Sequence, residues 1–241
     1  MFGSLRLIGT LFILLTLCIV GLIAWYRNSA GERVPAQTHA QSRPVPPKAE
    51  LQAFWNEHCK SIEEFIMAGS FRIPEIAQRR QTLSNLIALR YGSNLRVHLV
   101  SNYHRWGPRV GAACGEDAGV PSLDIIVPHA FDAFVRFRMT GLRDWQERLE
   151  MRLVIEVIHE LDHLAYGYLI SSASLDAIAD NERRAWAQTC EHTLSILVER
   201  YHAPIDEGDR LFYLLWVESG RDVNSPRWIQ GVREAHADLK R

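Results

Sequence analysis

The sequence predicts an α+β protein: a small β-sheet beside a mainly helical half with one long helix, preceded by an N-terminal transmembrane helix. Three observations predict it. Apolar residues recur at three-four spacing through most of the body. Two short runs, 95–100 and 123–127, read as strands. An uncharged apolar stretch opens the chain. The 241 residues are 47% apolar, 10% aromatic and 23% charged, with a net charge of −1. Those values exclude a wholly disordered or collagen-like chain.

Residues 7–26 carry no charge, and Arg6 and Arg27 bracket them. Twenty helical residues rise about 30 Å, the thickness of a hydrocarbon core. Trp25 and Tyr26 stand at the end, where aromatic rings favour the interface. The reading is a single-pass anchor over 1–27. Its rival, a cleaved signal peptide, has a shorter apolar core and a small-residue site better than Asn28-Ser29-Ala30. Arg27, Arg33 and Arg43 on the C-terminal side favour a cytoplasmic body. Long domains cross regardless of charge, however, and an extracytoplasmic body is expected. Residues 28–50, with Pro35, Pro44, Pro46 and Pro47, form a stiff linker.

The body is then 51–241. Of 27 Lys and Arg, five lie in residues 1–50; of 28 acids, two do, so the body carries 22 bases and 26 acids. A net acidic body argues against general nucleic-acid binding, which rests on phosphate neutralisation. Cys18 falls in the anchor. Cys59, Cys114 and Cys190 remain, allowing at most one internal disulfide, and there is no CxxC zinc pair.

Along the body, 51–91 is helical with a break near 69–74, and Gly92 ends it. Strand 95–100 follows, then a Gly-rich stretch, 107–119. Strand 123–127 is closed by Pro128. Residues 131–139 are helical up to Gly141. Asp144 caps a long helix that runs to Tyr166, with Gly167 as its stop. A further helix spans 181–201, and shorter ones are expected near 208–219 and 226–239.

The long helix contains His159-Glu160-Leu161-Asp162-His163, an HExxH motif. Histidines at i and i+4 lie about 40° apart and one turn along, so both imidazoles reach one metal. Glu160 projects beside that metal, where a general base must stand. Chance alone supplies this motif about three times in a hundred shuffles, so context matters. Leu153, Val154, Val157, Ile158, Leu161, Leu164 and Ala165 form one apolar arc, and the histidines lie off it. The pair therefore points away from the core face, towards a cleft.

Catalytic zinc takes three protein ligands and a water. Glu182 follows His163 with eighteen residues between, at the start of the next helix. Trp186, Thr189, Cys190 and Thr193 share its side of that helix, so its carboxylate points inward and needs a counter-charge. Asp176 and Asp180, placed in the connecting loop, remain rivals. His192 lies about 15 Å along the axis and cannot join the same shell. The spacing HExxH-x18-E over residues 153–190 resembles the gluzincin zinc peptidases, which include thermolysin-like peptidases and zinc aminopeptidases. Tyr166 and Leu169 stand where a metzincin has Gly and His. The resemblance implies Zn2+ held by His159, His163 and Glu182, a peptide or protein substrate, and hydrolysis with Glu160 as base. One position departs from it: thermolysin-like enzymes place an imidazole-orienting Asp four residues after the ligand Glu, and here that residue is Trp186. Glu156 is the first candidate to hold an imidazole N–H instead, and Asp162 the second.

The strand at 95–100 or at 123–127 would offer an edge to an extended peptide. His192, Tyr201, His202 and Tyr213 are candidate oxyanion donors, each more readily read as a packing or surface residue. His98, His104 and His129 read as structural or exposed. The alternative to a peptidase is a tethered, non-catalytic module whose motif is structural.

Overall fold

The computed structural model describes residues 45–103, 111–117, 119–168 and 175–239. The expected anchor, and the linker up to residue 44, lie outside the described residues. Among those described, no helix is long and apolar enough to cross a membrane. A compact unit begins at Val45. Helix α1, Lys48–His58, takes the last three residues expected of the linker. Pro47 sits at its N-cap, where a missing N–H removes no helical bond.

Helix α2, Lys60–Ala68, follows across Cys59. Helix α3, Pro74–Tyr91, starts on a proline and ends at Gly92 in the left-handed conformation. Three strands form one sheet in the order β1-β3-β2: β1 Arg96–Val100, β2 Ala112–Asp117 and β3 Val120–Ile126. Strand β1 runs parallel to β3 with Val97 opposite Leu123. Strand β2 is antiparallel to β3 with Cys114 opposite Leu123. β2 falls inside the Gly-rich stretch 107–119, where no strand was expected. Its residues, Ala-Ala-Cys-Gly-Glu-Asp, have poor strand propensity, and pairing with β3 overrides that.

Strand β3 ends at Ile126, and helix α4, Val127–Met139, begins at once, four residues earlier than expected. Pro128 does not merely close the strand; it lies in the helix's first turn, where it needs no N–H. Helix α5, Trp145–Tyr166, is the long motif helix. Asp144 precedes it but makes no capping bond; its carboxylate pairs with Arg148 at 3.0 Å. Helix α6, Leu175–Thr189, starts six residues before its expected start. Beyond Thr189 the chain winds on in wider π turns, Cys190–Leu194 and Ile196–Arg200. Helices α7, Glu207–Glu218, and α8, Pro226–Leu239, complete the described fold.

The architecture is α+β, with α5 at its centre. The expected apolar arc is buried: Leu153, Val154, Val157, Ile158, Leu161 and Leu164 are all shielded from solvent. Each such side chain contributes about 1.5–3 kcal/mol relative to exposure. His159, Asp162 and His163, off that arc, are buried too, since α3, α4, α6 and β2 all pack on α5. The histidines therefore face the interior rather than an open cleft: His159 is 6% and His163 2% exposed.

Candidate metal centre

His159 and His163 stand one turn apart on α5, and Glu182 comes down from α6 to meet them. His159 Nε2 lies 3.2 Å from Glu182 Oε2, and His163 Nε2 lies 3.4 Å from Glu182 Oε1. The two Nε2 atoms are 3.3 Å apart. Ligand atoms of all three residues fall within 4.8 Å of one another. The rival Asp180 pairs with Arg183 and Arg184, and Asp176 is exposed. Both lie on α6 itself, not in a loop.

The hydrogen bonds choose the tautomer. Gly167, at φ 72°, ends α5 and turns the chain so that Tyr168 N–H donates to His163 O at 2.9 Å. The same turn brings Tyr168 O within 2.9 Å of His163 Nδ1. A carbonyl only accepts, so Nδ1 carries a proton, and in the neutral imidazole Nε2 is the nitrogen with the lone pair. His159 Nδ1 faces Thr189 Oγ1 at 3.4 Å. That hydroxyl donates to Asp162 Oδ2 at 2.9 Å, and Arg79 donates to Asp162 Oδ1 at 2.5 Å. Two Nε2 atoms, once deprotonated, and a carboxylate form a donor set that fits a borderline-soft divalent cation such as zinc.

Of the two carboxylates expected to hold an imidazole, the structure selects Asp162, acting through Thr189. Glu156 is turned the other way. Its Oε1 lies 3.1 Å from Arg152 Nε and 3.3 Å from His129 Nε2. Burial opposes its ionisation, but Arg152 and His129 prevail and hold its carboxyl down at about 2. Sharing one side of a helix with His159 does not decide where a flexible carboxylate is satisfied. Asp162 is pushed up to about 6 by burial, with Arg79 opposing.

Burial works against a charged His163, yet the facing Glu182 overrides it and raises the imidazole to about 9, with a smaller push from Glu160. The sign follows. Below 6.5, the ordinary value, His163 is protonated whether the chain is folded or not; between 6.5 and about 9 only the folded chain keeps the proton. Metal-free protein is therefore expected to lose up to about 3 kcal/mol of stability as pH rises through that window. A metal on Nε2 displaces the proton, so zinc should flatten the slope. Thermal unfolding from about pH 6 to about pH 9, with and without zinc, reads both effects.

Glu160 leans towards the sheet. Cys114 N–H, on β2, donates to Glu160 Oε2 at 3.0 Å. Strand β2 is an edge strand, so its outer side and the carboxylate share one location. Of the two strands expected to offer an edge, 95–100 is the other edge, while 123–127 lies within the central β3 and its start of α4 and has no free edge. Burial, then Glu160, keeps the Cys114 thiol well above its usual range, and the described cysteines Cys59, Cys114 and Cys190 are free. Just before β2, Gly111 passes so close to the Glu156 carboxylate that a Cβ there would collide with it. The strand is thus seated on α5 at two points one helical turn apart.

Of the oxyanion candidates, two are engaged elsewhere and two are exposed. Tyr201 donates to Glu75 at 2.6 Å, Tyr213 donates to Glu199, and His192 and His202 are exposed. His98 pairs with Asp124 at 3.0 Å, and His104 lies outside the described residues. Sequence reasoning had no means of naming Tyr168 or Cys114 as partners of the motif, and showed Thr189 only as an inward residue on Glu182's side of its helix. Trp186 was visible as an inward residue, but not as one that stacks on His159, 4.2 Å between ring centroids. Comparison of the chain with protein-family models, curated proteins and solved structures finds no match to any of them.

Proposed function

We propose that the protein is a zinc-dependent peptidase, tethered to a membrane by residues 7–26, with its catalytic domain on the extracytoplasmic side. The observation that carries the reading is the convergence of His159 Nε2, His163 Nε2 and Glu182 beside a carboxylate, Glu160, that is not part of the ligand set. A purely structural cation has no use for that base. Zinc, when bound, supplies a Lewis acid that polarises a carbonyl and lowers the pKa of a water to about 7.

The chain's own residues do the rest. Glu160 takes the proton of the attacking water and hands it to the leaving amine. Cys114 N–H fixes which way the carboxylate faces. Tyr168 O and Thr189 Oγ1 hold the two imidazoles with their Nε2 atoms aimed inward. An extended peptide adds along the outer side of β2, which brings a scissile bond to Glu160.

The test is zinc content of the purified full chain in detergent, together with cleavage of a mixed library of unstructured peptides. One zinc per chain, with cleavage abolished by a chelator and restored by zinc, is the expected result. A folded, zinc-supplied chain that holds no metal overturns the reading. A chain that holds zinc and cleaves nothing in the library points instead to a non-catalytic module.

A further inference from the structure

We infer that Trp186 is the positioning residue of His159: its indole face, backed by Phe212, fixes the plane of the imidazole and strengthens metal binding. The inference rests on the metal centre proposed above. Trp186 lies one helical turn beyond Glu182 on α6, on the side that faces α5. Its ring stacks on His159 with centroids 4.2 Å apart and planes 27° apart. Phe212, from α7, stacks on the indole at 4.2 Å with planes 1° apart. The indole thus packs face to face with both rings, and Phe212 braces it.

An Asp at this position, as thermolysin-like peptidases have it, orients an imidazole, and as an acceptor it would also set the tautomer. Tryptophan has no acceptor, so it cannot set a tautomer. Here the two tasks are divided. Thr189, two turns beyond Glu182, faces Nδ1 and relays to Asp162. Trp186 supplies the orientation. It also favours the loaded state: a metal draws positive charge onto His159, and an indole face attracts positive charge. Phe212 raises the effect by removing the indole's freedom to swing away, since one face of it is covered by another element.

The test compares the full-length wild type with W186A, W186F and F212A. Zinc affinity is read by competition with a chromophoric chelator, and the ligand field by the visible absorption of the cobalt-loaded forms. W186A should weaken zinc binding about 10- to 100-fold, the range for loss of an outer-shell partner, and shift the cobalt bands. W186F, which keeps an aromatic face, should stay within about threefold of wild type, and F212A should fall between the two. Circular dichroism of the metal-free forms checks that the fold is intact. Wild-type affinity and bands in W186A overturn the inference while leaving the metal centre standing. A W186F as weak as W186A also overturns it, because filled volume rather than a stacked face would then be the cause. Absence of metal from the wild type itself overturns both this inference and the proposed function.

Discussion

Glu160→Gln is expected to leave one zinc on the chain and to lower peptide hydrolysis by about 10²- to 10⁴-fold, the range for removal of a general base. The substitution keeps the side chain's shape and its carbonyl oxygen. The Cys114 N–H, 3.0 Å from Oε2 in the native chain, still finds an acceptor. What is lost is the capacity to accept and return a proton. The loss should fall on kcat, with KM little changed, because the role proposed for Glu160 lies in the reaction rather than in binding. Single-turnover cleavage of the best library peptide, paired with zinc content, measures both halves. Near-native activity in a zinc-loaded Glu160→Gln chain would remove Glu160 from the mechanism.

Glu182→Ala should do the reverse: it removes the metal first and activity as a consequence. It deletes one of the three proposed ligands, so the loss of zinc affinity should exceed the roughly 100-fold typical of an outer-shell change. There is a second signature in the metal-free protein. Glu182 is what lifts His163 to about 9 against the opposing effect of burial. Without it, burial prevails, and the decline in stability between 6.5 and about 9 should vanish. The two readouts separate a ligand from a residue that merely packs nearby. Retention of zinc at wild-type affinity would place the third ligand elsewhere. The closest rivals, Asp176 and Asp180, lie on the same helix, but Asp180 is already held by Arg183 and Arg184.

The two variants together also test the division of labour within the HExxH segment. His159 and His163 are held by groups from outside their own helix: Thr189 on α6 and the Tyr168 carbonyl beyond the Gly167 turn. Glu160 is held by the sheet. The proposed ligands and the proposed base therefore answer to different parts of the fold. A disturbance of β2 should alter the base while sparing the metal, and a disturbance of α6 should do the opposite.

What could be read without a structure was whatever helical periodicity encodes. The i, i+4 placement of His159 and His163, the projection of Glu160 beside them, the apolar arc of α5 and its end at Gly167 all follow from 3.6 residues per turn and a glycine's tolerance of positive φ. Glu182 was legible through its spacing to the motif. The relations within α5 are local and a single sequence states them directly; the spacing to Glu182 is not, and carried meaning only through the gluzincin resemblance. The tertiary structure alone decided the rest. Strand β2 exists because β3 pairs with it, although Ala112, Gly115 and Asp117 disfavour a strand. The choice of Asp162 over Glu156 depended on Arg152, His129, Arg79 and Thr189, and both His129 and Arg79 come from other helices. The burial of both histidines depended on four elements closing around α5. Arg152 and the β2–β3 hairpin act over a few residues, but His129, Arg79 and Thr189 reach α5 from distant parts of the chain; a polar group removed from water must find its partner wherever the fold provides one.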